Sequence, residues 1–90
     1  MSVTQYNVII KNSAKTDLKK IKQSNLKYNF MKIIETLKND PFKSTQSFKK
    51  LVPKSEGRYS RRINHQHRVV YTVNEDEKIV YIYSCWSHYE

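Results

Sequence analysis

Cys85 is the only cysteine, so the chain has no pair for an internal disulfide and no thiolate knuckle for a metal. A reducing, cytoplasmic setting is the expectation. Gly57 is the only glycine, and Pro41 and Pro53 are the only prolines. That scarcity leaves no Gly- or Pro-rich linker, and no repeat or low-complexity segment is visible. Apolar runs such as Val8-Ile9-Ile10 are far shorter than the roughly 20 residues a membrane helix needs. Met1-Ser2-Val3-Thr4 lacks the charged and apolar regions of a secretory signal, so no membrane partner is expected.

Acid is scarce as well. Asp and Glu total 8 against 17 Lys and Arg, a formal charge of +9 on 90 residues. So much positive charge on so small a body favours a polyanionic partner, RNA or DNA ahead of an anionic membrane. The length suits one domain, 1–90, with one modest core.

Alternation over 5–11 predicts a first strand, with Tyr6, Val8 and Ile10 on one side. Ser13 is placed to N-cap a short helix whose inner face is Ala14, Leu18 and Ile21, and Asp17 suits its positive end. Ser24 is placed to cap a second helix. There Leu26, Phe30, Ile33, Ile34 and Leu37 recur at helical spacing until Asn39-Asp40-Pro41 ends it. Residues 42–57 read as irregular and lysine-rich, with Phe48 and Leu51 anchoring a short strand or ordered loop and Pro53 and Gly57 marking turns. A hairpin over 58–64 and 67–73 follows, then an acidic turn at 74–77 and a last strand over 79–85. The fold class is therefore α+β: an N-terminal strand, a helical hairpin, then an antiparallel sheet of three to four strands covered on one face by the helices. The opposite face is left for function.

Charge concentrates on the hairpin side. Residues 43–72 hold eight Lys and Arg against Glu56 alone, whereas 73–90 hold Lys78 against four acids. Strand alternation puts Arg58, Ser60 and Arg62 on one face and Tyr59, Arg61 and Ile63 on the other. A loop at Asn64-His65-Gln66 sets Arg62 opposite Arg68. Guanidiniums facing each other across a ladder repel, and a phosphate between them satisfies both through bidentate hydrogen bonds. Periodicity alone equally permits solvated charges on an exposed face. The ending SCWSHYE adds His88, able to move protons near neutral pH, and Tyr89, able to stack or to donate a hydrogen bond. Two residues apart, Tyr81 and Tyr83 read as packing on one sheet face. His65, His67 and His88 supply too few ligands at too wide a spacing for a metal site, and no cofactor is expected.

YSRRINHQHRVVYTV followed by a terminal His-Tyr resembles the YoeB/Txe group of RelE-superfamily toxins, and the likeness in element order covers nearly the whole chain. The resemblance implies a RelE-like toxin domain from a type II toxin-antitoxin system. Such a toxin is a ribosome-dependent endoribonuclease that cleaves messenger RNA in the A site through attack by the RNA 2′-hydroxyl. By position it implies Arg62 and Arg68 on the scissile phosphate, His88 as general acid and Tyr89 as orienter. Lys50, Lys54, Arg58, Arg61 and Trp86 are then further RNA contacts. The implied partners are a YefM-type antitoxin, the ribosome with its messenger RNA, operator DNA only through the antitoxin complex, and a second copy of the chain as a homodimer.

The chain departs from that pattern at Lys49, where the family's glutamate, its proposed general base, is expected. An ammonium cannot accept a proton. Three accounts follow: a lysine neutral enough to act as base, a phosphate-binding lysine in a slower enzyme, or a disabled site. The alternative from another class is a non-catalytic RNA- or ribosome-binding module, or an operator corepressor.

Overall fold

A computed structural model of the chain describes residues 5–86. Along it run β1 (Asn7–Ile10), α1 (Asn12–Lys22), α2 (Lys27–Asn39), β2 (Lys49–Lys50), a single 3-10 turn (Lys54–Glu56), β3 (Arg58–Arg62), β4 (Arg68–Asn74) and β5 (Ile79–Ser84). The strands form one sheet in the order β1-β5-β4-β3-β2. From β2 to β5 every pairing is antiparallel, as the alternation predicted. β1 joins in parallel, with Val8 opposite Val80 and Ile10 opposite Ile82. Parallel neighbours need a crossover connection, and the helical pair that follows β1 begins it.

Both helices lie on one sheet face because each has one apolar stripe to bury. Ala14 and Ile21 of α1 and Phe30, Ile33 and Leu37 of α2 meet Val69, Tyr71, Val80 and Ile82 from the sheet. Neither predicted N-cap stands at its helix start: Lys11 precedes α1 and Leu26 precedes α2, neither with a side-chain cap bond. α1 starts at Asn12 without a side-chain cap, and the Ser13 hydroxyl donates instead to the Tyr83 carbonyl at 2.7 Å. Asp17 is likewise used across the fold, its carboxylate accepting from the Cys85 amide at 3.1 Å. Ser24 closes the turn between the helices, accepting from the Leu26 amide at 3.0 Å and donating to the Ile21 carbonyl at 2.9 Å. After α2, the Asp40 carboxylate accepts from the Phe42 amide at 3.0 Å, a local side-chain turn that redirects the chain. Gly57 supplies φ 63° where the chain reverses into β3.

Cys85 is fully buried beneath this layer. Burial, aided by the Asp17 carboxylate, pushes its thiol up to about 12. Thiolate is the reactive form, so the native protein should react with a disulfide reagent at pH 8 at least about 100-fold more slowly than the unfolded chain. Equal rates by absorbance would contradict this packing.

Candidate functional site

The uncovered sheet face is built by registry. Lys49 lies opposite Ser60, Ser60 opposite Val70, and Val70 opposite Ser84. Directly opposed residues share a face, so these four make one row. One row away, about 7 Å along the strands, Arg62 stands opposite Arg68. Lys49 and Arg62 are exposed and Arg68 is half-buried. The backbone under Arg62 is fixed on both sides, by the ladder to β4 and by its own amide donating to the Gln46 carbonyl at 2.8 Å. Three cationic side chains thus share a rigid surface on which an anionic backbone can lie.

At the hairpin tip, the Asn64 side-chain oxygen accepts from the amides of Gln66 and His67 at 2.8 and 2.7 Å. This tight cap sets the Arg62–Arg68 register. His65 is exposed at the tip. His67 is 6% exposed, and its ring stacks on Trp86 with centroids 4.1 Å apart. Trp86 is half-buried against the core, so its indole supports the hairpin with only part of its surface left for a partner. Among the described residues no group of three His, Cys, Asp or Glu is placed to hold a metal.

Arg61 must be corrected as an RNA contact, because it is wholly buried. Alternation turns it inward with Tyr59 and Ile63, and there it ties the 41–45 segment to the sheet. Its Nε donates to the Tyr71 hydroxyl at 3.0 Å, Nη1 to the Thr45 carbonyl at 2.8 Å and Nη2 to the Pro41 carbonyl at 2.9 Å. The Tyr71 hydroxyl donates to the same Pro41 carbonyl at 2.7 Å. The Phe48 ring lies 4.8 Å from the guanidinium carbon. Lys50 also differs in aspect from Lys49: opposite Tyr59, it turns toward the helix side, its ammonium 5.8 Å from that ring. The exposed residue Lys54 opens the 3-10 turn.

Arg58 is half-buried on the open face, where its Nη2 meets Glu56 at 2.9 Å and the Val52 carbonyl at 3.4 Å. Beside it opens a cleft of about 380 Å³ lined by Glu56, Arg58, Val70, Thr72, Tyr83 and Ser84. The expectation that Tyr83 is packing gives way here, since it is 37% exposed. Alternation alone puts it on the open face, since Val80 and Ile82 turn inward; a β-bulge follows, where Tyr71 pairs with Ile82 and Val70 with Ser84, and it brings Ser84 to the open face and turns Cys85 into the core. Bulges re-aim side chains in this way, and nothing in the residue types announces one. His88 and Tyr89 lie outside the described residues.

A family model described as "YoeB-like toxin of bacterial type II toxin-antitoxin system" matches residues 6–89. A curated protein named Toxin YoeB, from Synechocystis, is 35% identical over 74 residues, which is 82% of this chain and 77% of that protein. Among solved structures, the toxin chain of a YoeB-YefM complex from Staphylococcus aureus is 32% identical with a TM-score of 0.77, covering 94% of this chain and 99% of that one. A YoeB dimer from the same organism aligns with a TM-score of 0.79 at 31% identity and the same coverage.

Proposed function

Because the chain belongs to the YoeB-like toxins of bacterial type II toxin-antitoxin systems, we propose that it is a slow, ribosome-dependent endoribonuclease that cuts messenger RNA in the A site, residues 1–90 acting as one toxin domain. The observation that carries this reading is the in-register Arg62–Arg68 pair on the uncovered sheet face, with Lys49 one row away.

The RNA 2′-hydroxyl attacks the adjacent phosphorus, the bond to the 5′-oxygen breaks, and a cyclic phosphate and a free 5′-hydroxyl result. Arg62 and Arg68 bind the phosphate and oppose the charge that builds on its oxygens in the transition state. His88 protonates the departing 5′-oxygen and Tyr89 orients the substrate. Lys49 adds charge beside the phosphate but cannot, as an ammonium, take the 2′-hydroxyl proton. That proton passes to water, and the slowness of the step follows. Lys54 and Arg58 extend the cationic surface toward the flanking RNA.

In the cytoplasm, a YefM-type antitoxin neutralises the toxin by laying an acidic segment that folds as it binds across the same cationic face. Operator DNA is reached only through that complex, and a homodimer like the one solved for the Staphylococcus aureus relative is the expected free form.

Primer extension on programmed ribosomes tests the reading. The expected result is a cut within the A-site codon that disappears with His88→Ala or with a 2′-deoxy nucleotide at the cut site. Lys49 also favours a second reading, a binder without catalysis; on that reading neither change removes a product, because none forms. Arg62→Ala should weaken binding to single-stranded RNA at every sequence and lower the slope of log affinity against log salt by about one. An unchanged slope would remove Arg62 from the phosphate site.

A further inference from the structure

We propose that the cleft at the β5 bulge is a nucleobase subsite that prefers guanine. The inference rests on the proposed RNA-cleaving reading and deepens it by naming what the site reads beside the phosphate.

The cleft lies on the same sheet face as Arg62 and Arg68. Arg58 and Arg62 are separated by four residues of one strand, about 13 Å, so a single RNA strand can lie across both places. The opening has the parts a base needs. Val70, 5% exposed, forms an apolar floor, alternation along β5 presents Tyr83 at the surface as a stacking platform, and the bulge adds Ser84 beside it. Stacking alone is indifferent to sequence, and discrimination requires hydrogen bonds to the base edge.

Glu56 and Arg58 supply those bonds. Their ion pair has 55% and 36% of its side-chain surface exposed. Such exposed pairs add about 1 kcal/mol or less to folding. The pair therefore contributes little by holding the fold together, while it presents acceptors and donors side by side. The Nε of Arg58 is buried and out of a ligand's reach, while Nη2 is held by Glu56 and the Val52 carbonyl, so the base edge is met by the exposed terminal nitrogens of the guanidinium. Guanine matches this pattern. Its N1–H and N2–H are two parallel donors for a carboxylate, and O6 and N7 are acceptors for a guanidinium. Adenine, cytosine and uracil each lack one half of that arrangement.

The test is nuclear magnetic resonance titration of the whole protein with each of the four nucleoside 5′-monophosphates, which needs no turnover. Guanosine monophosphate should shift the amides of Thr72, Tyr83 and Ser84 and bind about tenfold more tightly than uridine monophosphate. Tyr83→Ala should lower affinity for all four about tenfold. Glu56→Gln, at an exposed position, should remove the guanine preference while leaving binding itself. Shifts confined to Arg62 and Arg68 and equal for all four nucleotides would overturn the subsite and leave the phosphate site standing. No shift at either place would count against both. If Tyr83→Ala keeps the nucleotide response and instead loses affinity for an antitoxin peptide, the cleft belongs to the protein partner and the proposal falls.

Discussion

Lys49→Glu should raise the single-turnover rate of A-site cleavage by about 100-fold, the lower end of what a positioned general base contributes. The β2 register puts residue 49 opposite Ser60, one row from Arg62 and Arg68, so a carboxylate there arrives on the phosphate face without rearrangement. Residue 49 is exposed, and surface exchanges of this kind change stability by about 0.5 kcal/mol or less, so the rate gain is not a folding effect. Removing one cation weakens RNA binding, which is why the measurement is single-turnover at saturating ribosomes. Lys49→Met separates the roles further. A lysine that only adds charge loses about tenfold or less on that change, whereas a lysine that itself takes the proton loses 100-fold or more. A Lys49→Glu protein slower than the parent, together with a dead Lys49→Met protein, would assign the base to the amine. If the parent makes no cut and Lys49→Glu does, the scaffold is competent and the site of this chain is disabled.

Arg61→Met should cost about 3 kcal/mol of stability, a fall in Tm of about 12–24 °C for a domain this size. The guanidinium is fully buried among neutral oxygens: the Tyr71 hydroxyl and the carbonyls of Pro41 and Thr45. Methionine fills much of the space but donates to none of them, and a hydrogen bond from a charged group contributes about 1.5–3 kcal/mol. Pro41 keeps its bond from Tyr71 and the Thr45 carbonyl keeps one from the Phe48 amide, so the loss comes from the charge-assisted bonds themselves and from the released loop. Calorimetry decides the matter; a Tm within 3 °C of the parent's, well inside the roughly 4–8 °C expected per kcal/mol, would mean that the knot contributes little. The same knot gives stability a limit in base. Burial, only partly offset by Arg61, pushes the Tyr71 hydroxyl from 10.0 up to about 12. Its contribution is complete below pH 10 and is lost as pH rises toward 12, since the unfolded chain ionises first. Melting curves at pH 8 and pH 11 should differ accordingly, and Tyr71→Phe should shrink that difference.

Local patterns in the chain reported local structure well. The 3.6-residue recurrence from Leu26 to Leu37 is α2, and alternation through 58–73 is the β3–β4 hairpin, with Arg62 facing Arg68 as a three-residue tip required. Alternation set Arg61 with Tyr59 and Ile63, yet it was expected to touch RNA; its cage of oxygens is not visible locally, because Pro41, Thr45 and Tyr71 are distant in sequence and a buried cation is costly without them. Adjacent lysines in a strand must face opposite ways, which separates Lys50 from Lys49 once β2 is known to be a strand. The guanine cleft was illegible for a different reason. Its rim at Ser84 depends on a one-residue slip at Tyr83 that leaves every residue type compatible with regular pairing. The phosphate pair was thus readable from spacing, and its neighbour was not.

The parallel seam between β1 and β5 also governs when the protein comes into being. β1 is made before both helices, yet its partner, Ile79–Ser84, follows every other strand. Until those residues leave the ribosome, the N-terminal strand has nothing to pair with, and contacts between such distant segments form late. The cationic ladder of β2, β3 and β4 can pair without either strand, but the sheet behind the helices closes only when β5 arrives.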